Sequence, residues 1–219
     1  MILQTTLNFL SELKHNNNRD WFNIHRPEYE AARENYGIVV NQLIAGIKEF
    51  DPSIGTLEAK DCWFRINRDI RFSPNKEPYK TNMGAYIARG GRKSPFAGYY
   101  FHLEPGESFI SGGIYMAPPE NMKRIRSEIN AYSNEFLKIV SSNEFTSAFS
   151  HFDSESLKRV PQGFSADSPV VDYLKMKHIT PYKKINDVDL VSKNLLSSSL
   201  STFKALHPLV QFLNRAIEE

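Results

Sequence analysis

Apolar residues along the chain change their period twice. Leu7, Leu10 and Leu13 recur at a spacing of three, which predicts an amphipathic helix over residues 5–14 with Thr5 or Thr6 as its N-cap. Asn16–Asn18 reads as a turn, and Asp20 can cap a further turn carrying Trp21 and Phe22. Tyr29, Ala32, Tyr36, Val39, Val40, Leu43, Ile44 and Ile47 form one apolar stripe, predicting a long helix over 27–50 that opens on Pro27 and stops at Asp51-Pro52. Gly37 and Gly46 weaken it slightly.

The middle of the chain reads differently. Residues 62–67, 83–88, 97–103 and 108–115 predict strands, with an irregular stretch over 68–78 and turns at Gly90-Gly91 and 104–107. Connections this short favour antiparallel pairing. Gly112-Gly113 inside a strand predicts a bulge or a close backbone approach. Helical spacing returns after Pro118-Pro119, up to Ala131, over 136–140, over 170–176, after Asp187 as cap, and over 200–217, where Pro208 threatens a kink. Residues 178–184 read as extended, and 150–163 show no clear period. Helices, then strands, then helices, without βαβ alternation, predict an α+β fold. We expect a single domain, 1–219, with a central antiparallel sheet of about four or more strands and the N- and C-terminal helices mainly on one face.

Composition narrows the classes. A chain of 219 residues, 41% hydrophobic and 24% charged, is not a disordered one. Its single cysteine, Cys62, excludes a disulfide framework and any multi-cysteine zinc site, and suits a reducing compartment. Cys62 itself reads as a small buried hydrophobe. No apolar run approaches 18 residues and the N-terminus lacks a basic leader, so the expectation is a soluble cytoplasmic protein without membrane contact.

The net charge of +2 hides an uneven distribution. Between Lys60 and Lys93 stand nine bases and three acids, an excess of six, so the rest of the chain is net acidic. Arg65, Arg68, Arg71, Lys76 and Lys80, with the hydroxyls of Ser73, Tyr79 and Thr81, crowd one proline-punctuated segment. Guanidinium forks grip carboxylate or phosphate bidentately and lysines add point charges, so this segment is a candidate anion site. The same bases could equally pair with Asp69, Glu77 and helix acids in a rigid structural loop.

The string Phe64-Arg-Ile-Asn-Arg-Asp-Ile-Arg-Phe-Ser-Pro-Asn-Lys-Glu-Pro-Tyr-Lys-Thr-Asn82 resembles the signature of a bacterial and fungal family, domain of unknown function 2461. The flanking blocks at 9–22 and 99–126 resemble that family as well, and the sequence departs from its pattern at Asn75, where an acid is expected. The resemblance implies one domain of about this size and no established activity.

A second constellation is Tyr99 to Leu103, then Ser111-Gly112-Gly113-Ile114-Tyr115, then Arg124 and Arg126. In strand register Tyr100 and His102 share one face, and Tyr99, Phe101 and Leu103 the other. If the latter face is core, His102 lies where a site could form, as a proton-transfer group beside the arginines, with Tyr79 as a second candidate and Gly112-Gly113 letting a ligand touch backbone. A hydrogen-bonded structural histidine is the other reading. No nucleotide-binding or nucleophile-elbow motif occurs, and His15, His25, His151, His178 and His207 show no metal-ligand spacing with carboxylates, so neither cofactor nor metal is expected. The functional expectation is a site for a small phosphate- or carboxylate-bearing ligand, possessed by an enzyme or by a binder. The alternatives are a nucleic-acid module stacking bases on Phe72, Tyr79 or Tyr86, which near-neutral charge disfavours, or a protein-interaction module without catalysis.

Overall fold

The computed structural model describes residues 1–218, and it is an α+β structure. Five strands, β1 (Met83–Ile87), β2 (Gly98–Leu103), β3 (Phe109–Gly113), β4 (His151–Phe152) and β5 (Pro181–Lys184), form one antiparallel sheet in the order β1-β2-β3-β5-β4. Before the sheet come α1 (Gln4–His15), α2 (Arg19–Ile24), α3 (Arg26–Lys48) and the short α4 (Ala59–Cys62). After β3 come α5 (Pro119–Ala131), α6 (Ser133–Val140), α7 (Asn143–Ala148), α8 (Val171–Lys175), α9 (Asp187–Leu190) and α10 (Leu195–Glu218). No helix among the described residues is long and apolar enough to cross a membrane.

Strand register assigns the two faces of the sheet. Tyr99 pairs with Ile87, and Phe101 with Ala85 on one side and Ile110 on the other, so these side chains share a face. All of them are almost fully buried, and α3 and α10 lie against them. Removing the Ile87, Phe101 and Ile110 side chains from water contributes roughly 1.5–3 kcal/mol each. Tyr100, His102, Phe109, Ser111 and Tyr182 share the opposite face in register, and that face carries no long helix.

Polar contacts tie β2 to the helical layer. The buried Tyr36 hydroxyl on α3 donates to the Phe101 carbonyl at 2.8 Å. The Tyr99 hydroxyl donates to Asp51 Oδ2 at 2.8 Å and accepts from His207 Nδ1, also at 2.8 Å, joining the end of α3 to α10 through the strand. Burial would raise the Asp51 pKa, but hydrogen bonds from His207, Ser53 and Tyr99 and the nearby His207 charge outweigh it and bring the carboxyl down to about 2. Gly112 lets α10 approach the sheet closely, since a Cβ there would collide with Leu206 of α10 and the Gly98 carbonyl. The expected close backbone approach is therefore real, and Gly113, at φ 84°, turns the chain out of the strand.

Several local expectations give way to tertiary context. Residues 62–67 are not a strand: α4 ends on Cys62, and the segment beyond it makes only isolated bridges, Trp63 to Ala85 and Asn67 to Tyr79. Thr5 and Thr6 do not cap α1, whose N-cap is Leu3; Thr6 is drawn inward, where its hydroxyl donates to Asn35 Oδ1. Asn18, not Asp20, caps α2, by accepting from the Trp21 N–H. The patternless stretch after Ser150 supplies β4, a two-residue edge strand too short for a period to show.

Candidate functional site

Alternation in β2 creates the site. Tyr100, His102 and Glu104 stand two residues apart, so all three project from the face opposite α3 and α10, Glu104 lying just past the end of the strand. The Tyr100 hydroxyl is 3.0 Å from His102 Nδ1, and His102 Nε2 is 3.3 Å from Glu104 Oε2. Thr81 donates to the other Glu104 oxygen at 2.8 Å, and the Ser108 hydroxyl accepts from the Glu104 N–H, so the residue is held at both ends. The imidazole stacks on Phe109, with ring centroids 4.5 Å apart.

These environments settle where the protons sit. Burial lowers the His102 pKa, opposed by its hydrogen bond to Glu104 and that carboxylate's charge, with the Lys80 charge adding to the lowering. Burial, with the charges of Glu104 and Tyr115, pushes the Tyr100 phenol up to about 12. At neutral pH the imidazole is therefore neutral. Its Nε2–H donates to Glu104, leaving the Nδ1 lone pair to accept from the Tyr100 hydroxyl.

Tyr100 and His102 open into a cavity of about 490 Å³ on this face. Phe64, Tyr86, Phe96, Phe109 and Tyr115 contribute aromatic rings to its lining, beside the hydroxyls of Ser94, Ser111 and Thr180 and the Asp153 carboxylate. One cation lines it, Arg92, whose Nη1 donates to the Lys60 carbonyl at 2.9 Å. The nitrogens Nε and Nη2 of Arg92 make no hydrogen bond among the described residues. At the rim Met116 holds a left-handed backbone at φ 51°, a strain of about 1–3 kcal/mol. Its N–H donates to His178 Nδ1, and the Tyr115 ring lies over the same imidazole at 4.4 Å.

The basic segment mostly goes elsewhere. Arg71 is exposed and forms a two-pronged pair with Asp69, at 2.6 and 2.9 Å. Arg68 reaches Glu77 at 3.4 Å and the Ser73 hydroxyl at 3.5 Å, and Lys76 donates to the Ile70 carbonyl. Asn75 bonds Glu77 through both its amide nitrogen and its oxygen, so an amide performs the local turn role here. None of these residues lines the cavity. Arg65 and Lys80 have no ion pair among the described residues, and the Lys80 ammonium sits 5.5 Å from the ring centre of the cavity residue Phe64. Gly112 and Gly113 do line the cavity, although the space beside Gly112 on the core side belongs to Leu206.

Tyr79 must be reassigned. Its ring is buried and stacked on Phe22 at 3.9 Å, within the Phe9–Trp21–Phe22–Tyr29 cluster, so it is a core residue and not a proton donor to this cavity. Tyr86 is half-buried in the cavity wall, its hydroxyl shared between the Phe96 and Gly113 carbonyls, so its ring belongs to the cavity and not to the basic loop. Arg126 caps α8 by donating to the Leu174 and Met176 carbonyls.

Sequence reasoning missed Glu104 and Arg92. Glu104 was legible as the third member of a Tyr-x-His-x-Glu alternation, but its neighbours Pro105 and Gly106 marked it as a turn residue. Linear spacing also did not show one spatial grouping of ligand-type side chains. Glu12, His25 and Glu28 are gathered from α1 and the α2–α3 junction, with one ligand atom of each within 4.8 Å of the others.

No curated protein and no solved structure matches the chain. A family model described as a conserved hypothetical protein, domain of unknown function 2461, matches residues 5–212 and so spans α1 to the penultimate turns of α10, including every residue of the cavity. The chain belongs to that family.

Proposed function

We propose that the sheet face opposite α3 and α10 binds a small molecule with an aromatic or apolar body and an anionic group, and withdraws a proton from it. The supporting observation is the Tyr100–His102–Glu104 chain opening into an aromatic cavity. A substrate O–H or N–H donating to the Tyr100 oxygen would pass its proton there while Tyr100 passes its own to His102 Nδ1. Glu104 would stabilise the resulting imidazolium, as an orienting carboxylate does in a nucleophile–base–acid triad. Phe64, Phe96 and Phe109 would hold the body of the ligand. Arg92, through its unused N–H groups, would hold the anion, with the positive field of Arg65 and Lys80 close to Phe64. The anion site thereby moves from the tip of the basic loop to the cavity beside it. The single buried thiol suits a cytoplasmic setting.

A thermal-shift screen against aryl carboxylates and aryl phosphates tests this reading. A ligand at about a hundred times its Kd stabilises by about 2.7 kcal/mol, which raises the Tm by several degrees in a chain of this size. Arg92→Gln should abolish the response, and Tyr100→Phe should abolish any turnover while leaving binding. A hit that survives Arg92→Gln unchanged would place the ligand elsewhere. One observation favours nucleic acid instead: Phe72 is 94% exposed at the tip of the basic loop, with the Arg71 guanidinium 5.9 Å from its ring centre. Low-salt binding of a labelled single-stranded oligonucleotide, lost in Phe72→Ala, would replace the cavity reading with this one.

A further inference from the structure

Three side chains from the N-terminal helices form a constellation separate from the Tyr100–His102–Glu104 relay. Glu12 stands in the last turn of α1, His25 between α2 and α3, and Glu28 in the first turn of α3, and one ligand atom from each lies within 4.8 Å of the others. His25 Nδ1 is 2.9 Å from the Trp21 carbonyl, an acceptor only, so Nδ1 donates to it and Nε2 is the ring nitrogen left to serve as a ligand. The indole of Trp21 stacks on the imidazole at 4.0 Å with the planes 15° apart, which fixes the ring's orientation as well as its tautomer. Neither Glu12 nor Glu28 has a Lys or Arg ion-pair partner among the described residues. Two carboxylates are thus brought together without a cation, facing an imidazole held by a backbone carbonyl in the way that outer-shell partners hold metal-ligating histidines.

We infer that Glu12, His25 and Glu28 bind a divalent first-row transition cation of the zinc type, through one imidazole nitrogen and two carboxylate oxygens. An imidazole in the set favours such an ion over Mg²⁺ or Ca²⁺, which prefer oxygen ligands alone. Three protein ligands leave at least one coordination position open to water or a further ligand. The site is partly exposed and lies on preformed helices, so the cation can enter without unfolding the chain.

Isothermal titration of the full chain with ZnCl₂ and, separately, MgCl₂ at pH 7 tests the assignment. One zinc equivalent should bind, and Mg²⁺ should bind far more weakly. Glu12→Gln and Glu28→Gln replace exposed side chains, so both variants should keep the wild-type circular dichroism spectrum. Each should weaken zinc binding by at least roughly tenfold, since even outer-shell partners cost about 10–100-fold. On ¹⁵N-labelled protein, zinc should shift the Nε2 resonance of His25 and leave Nδ1 protonated. Unchanged zinc affinity in both variants would overturn the site, as would equal affinity for Mg²⁺. So would the absence of saturable binding together with a His25 resonance protonated on both nitrogens, which would make the cluster an internal ion pair of His25 with the two carboxylates.

Discussion

Replacing Asp51 by Asn isolates the polar junction beneath β2. The Asp51 side chain is only 5% exposed, and it accepts from the Tyr99 hydroxyl at 2.8 Å and from the Ser53 hydroxyl at 2.5 Å. Asparagine can retain the Ser53 bonds through its oxygen, but it presents an amide donor to a phenol that is already donating. The carboxyl titrates at about 2 in the fold against an ordinary 3.8. At about 1.4 kcal/mol for each tenfold in proton affinity, that difference stabilises the native state by roughly 2 kcal/mol. The folded pKa is the lower of the two, so this stability is fully present above pH 3.8 and is lost as the pH falls toward 2. Urea unfolding followed by Trp21 and Trp63 fluorescence should therefore show the wild type ahead of Asp51→Asn by about 2 kcal/mol at pH 6. In thermal melts the same gap is roughly 4–8 °C. The gap should shrink steadily below about pH 4. A difference that stays constant from about pH 6 to about pH 2.5 would show that the charge of Asp51 contributes nothing and refute the reasoning.

Two further outcomes rest on the same kind of environment. Glu104→Gln removes the charge that opposes burial at His102, so the imidazole should titrate at a still lower pH, seen by NMR of its ring protons; a rise would mean the Nε2 contact does not form. Cys62 is fully buried with its thiol pushed up to about 12 by burial and then by Asp61, so native protein should react with a thiol reagent only at the rate of unfolding.

The N-terminal helices, the three consecutive strands and their antiparallel order were legible because each depends on short-range alternation of apolar residues, which burial rewards locally. The face assignment of β2 was legible for the same reason: Tyr99, Phe101 and Leu103 alternate with Tyr100 and His102, and one set had to be core. The basic loop misled because density of charge in sequence says nothing about partners. Asp69 and Glu77 sit within nine residues of the arginines they engage, and only folded geometry shows that Arg68 and Arg71 are occupied while Arg65 and Lys80 are not. Tyr79 misled for a related reason, since an aromatic in a polar string looks exposed until Phe22, 57 positions away, is found stacked on it.

What the sequence determined by itself was the class of fold, the family, and the side of the sheet on which His102 stands. The tertiary structure alone decided which distant groups share the cavity with His102. Arg92 comes from a connecting loop, and Phe64 from a segment that pairs only at isolated bridges. Glu12, His25 and Glu28 converge because α1 packs against α3, a contact between side chains up to 16 positions apart in the chain. Periodicity reports which face of an element is buried, whereas a site is built from the ends and connections of elements. Those carry no period, so their meeting points are fixed only when the whole core closes.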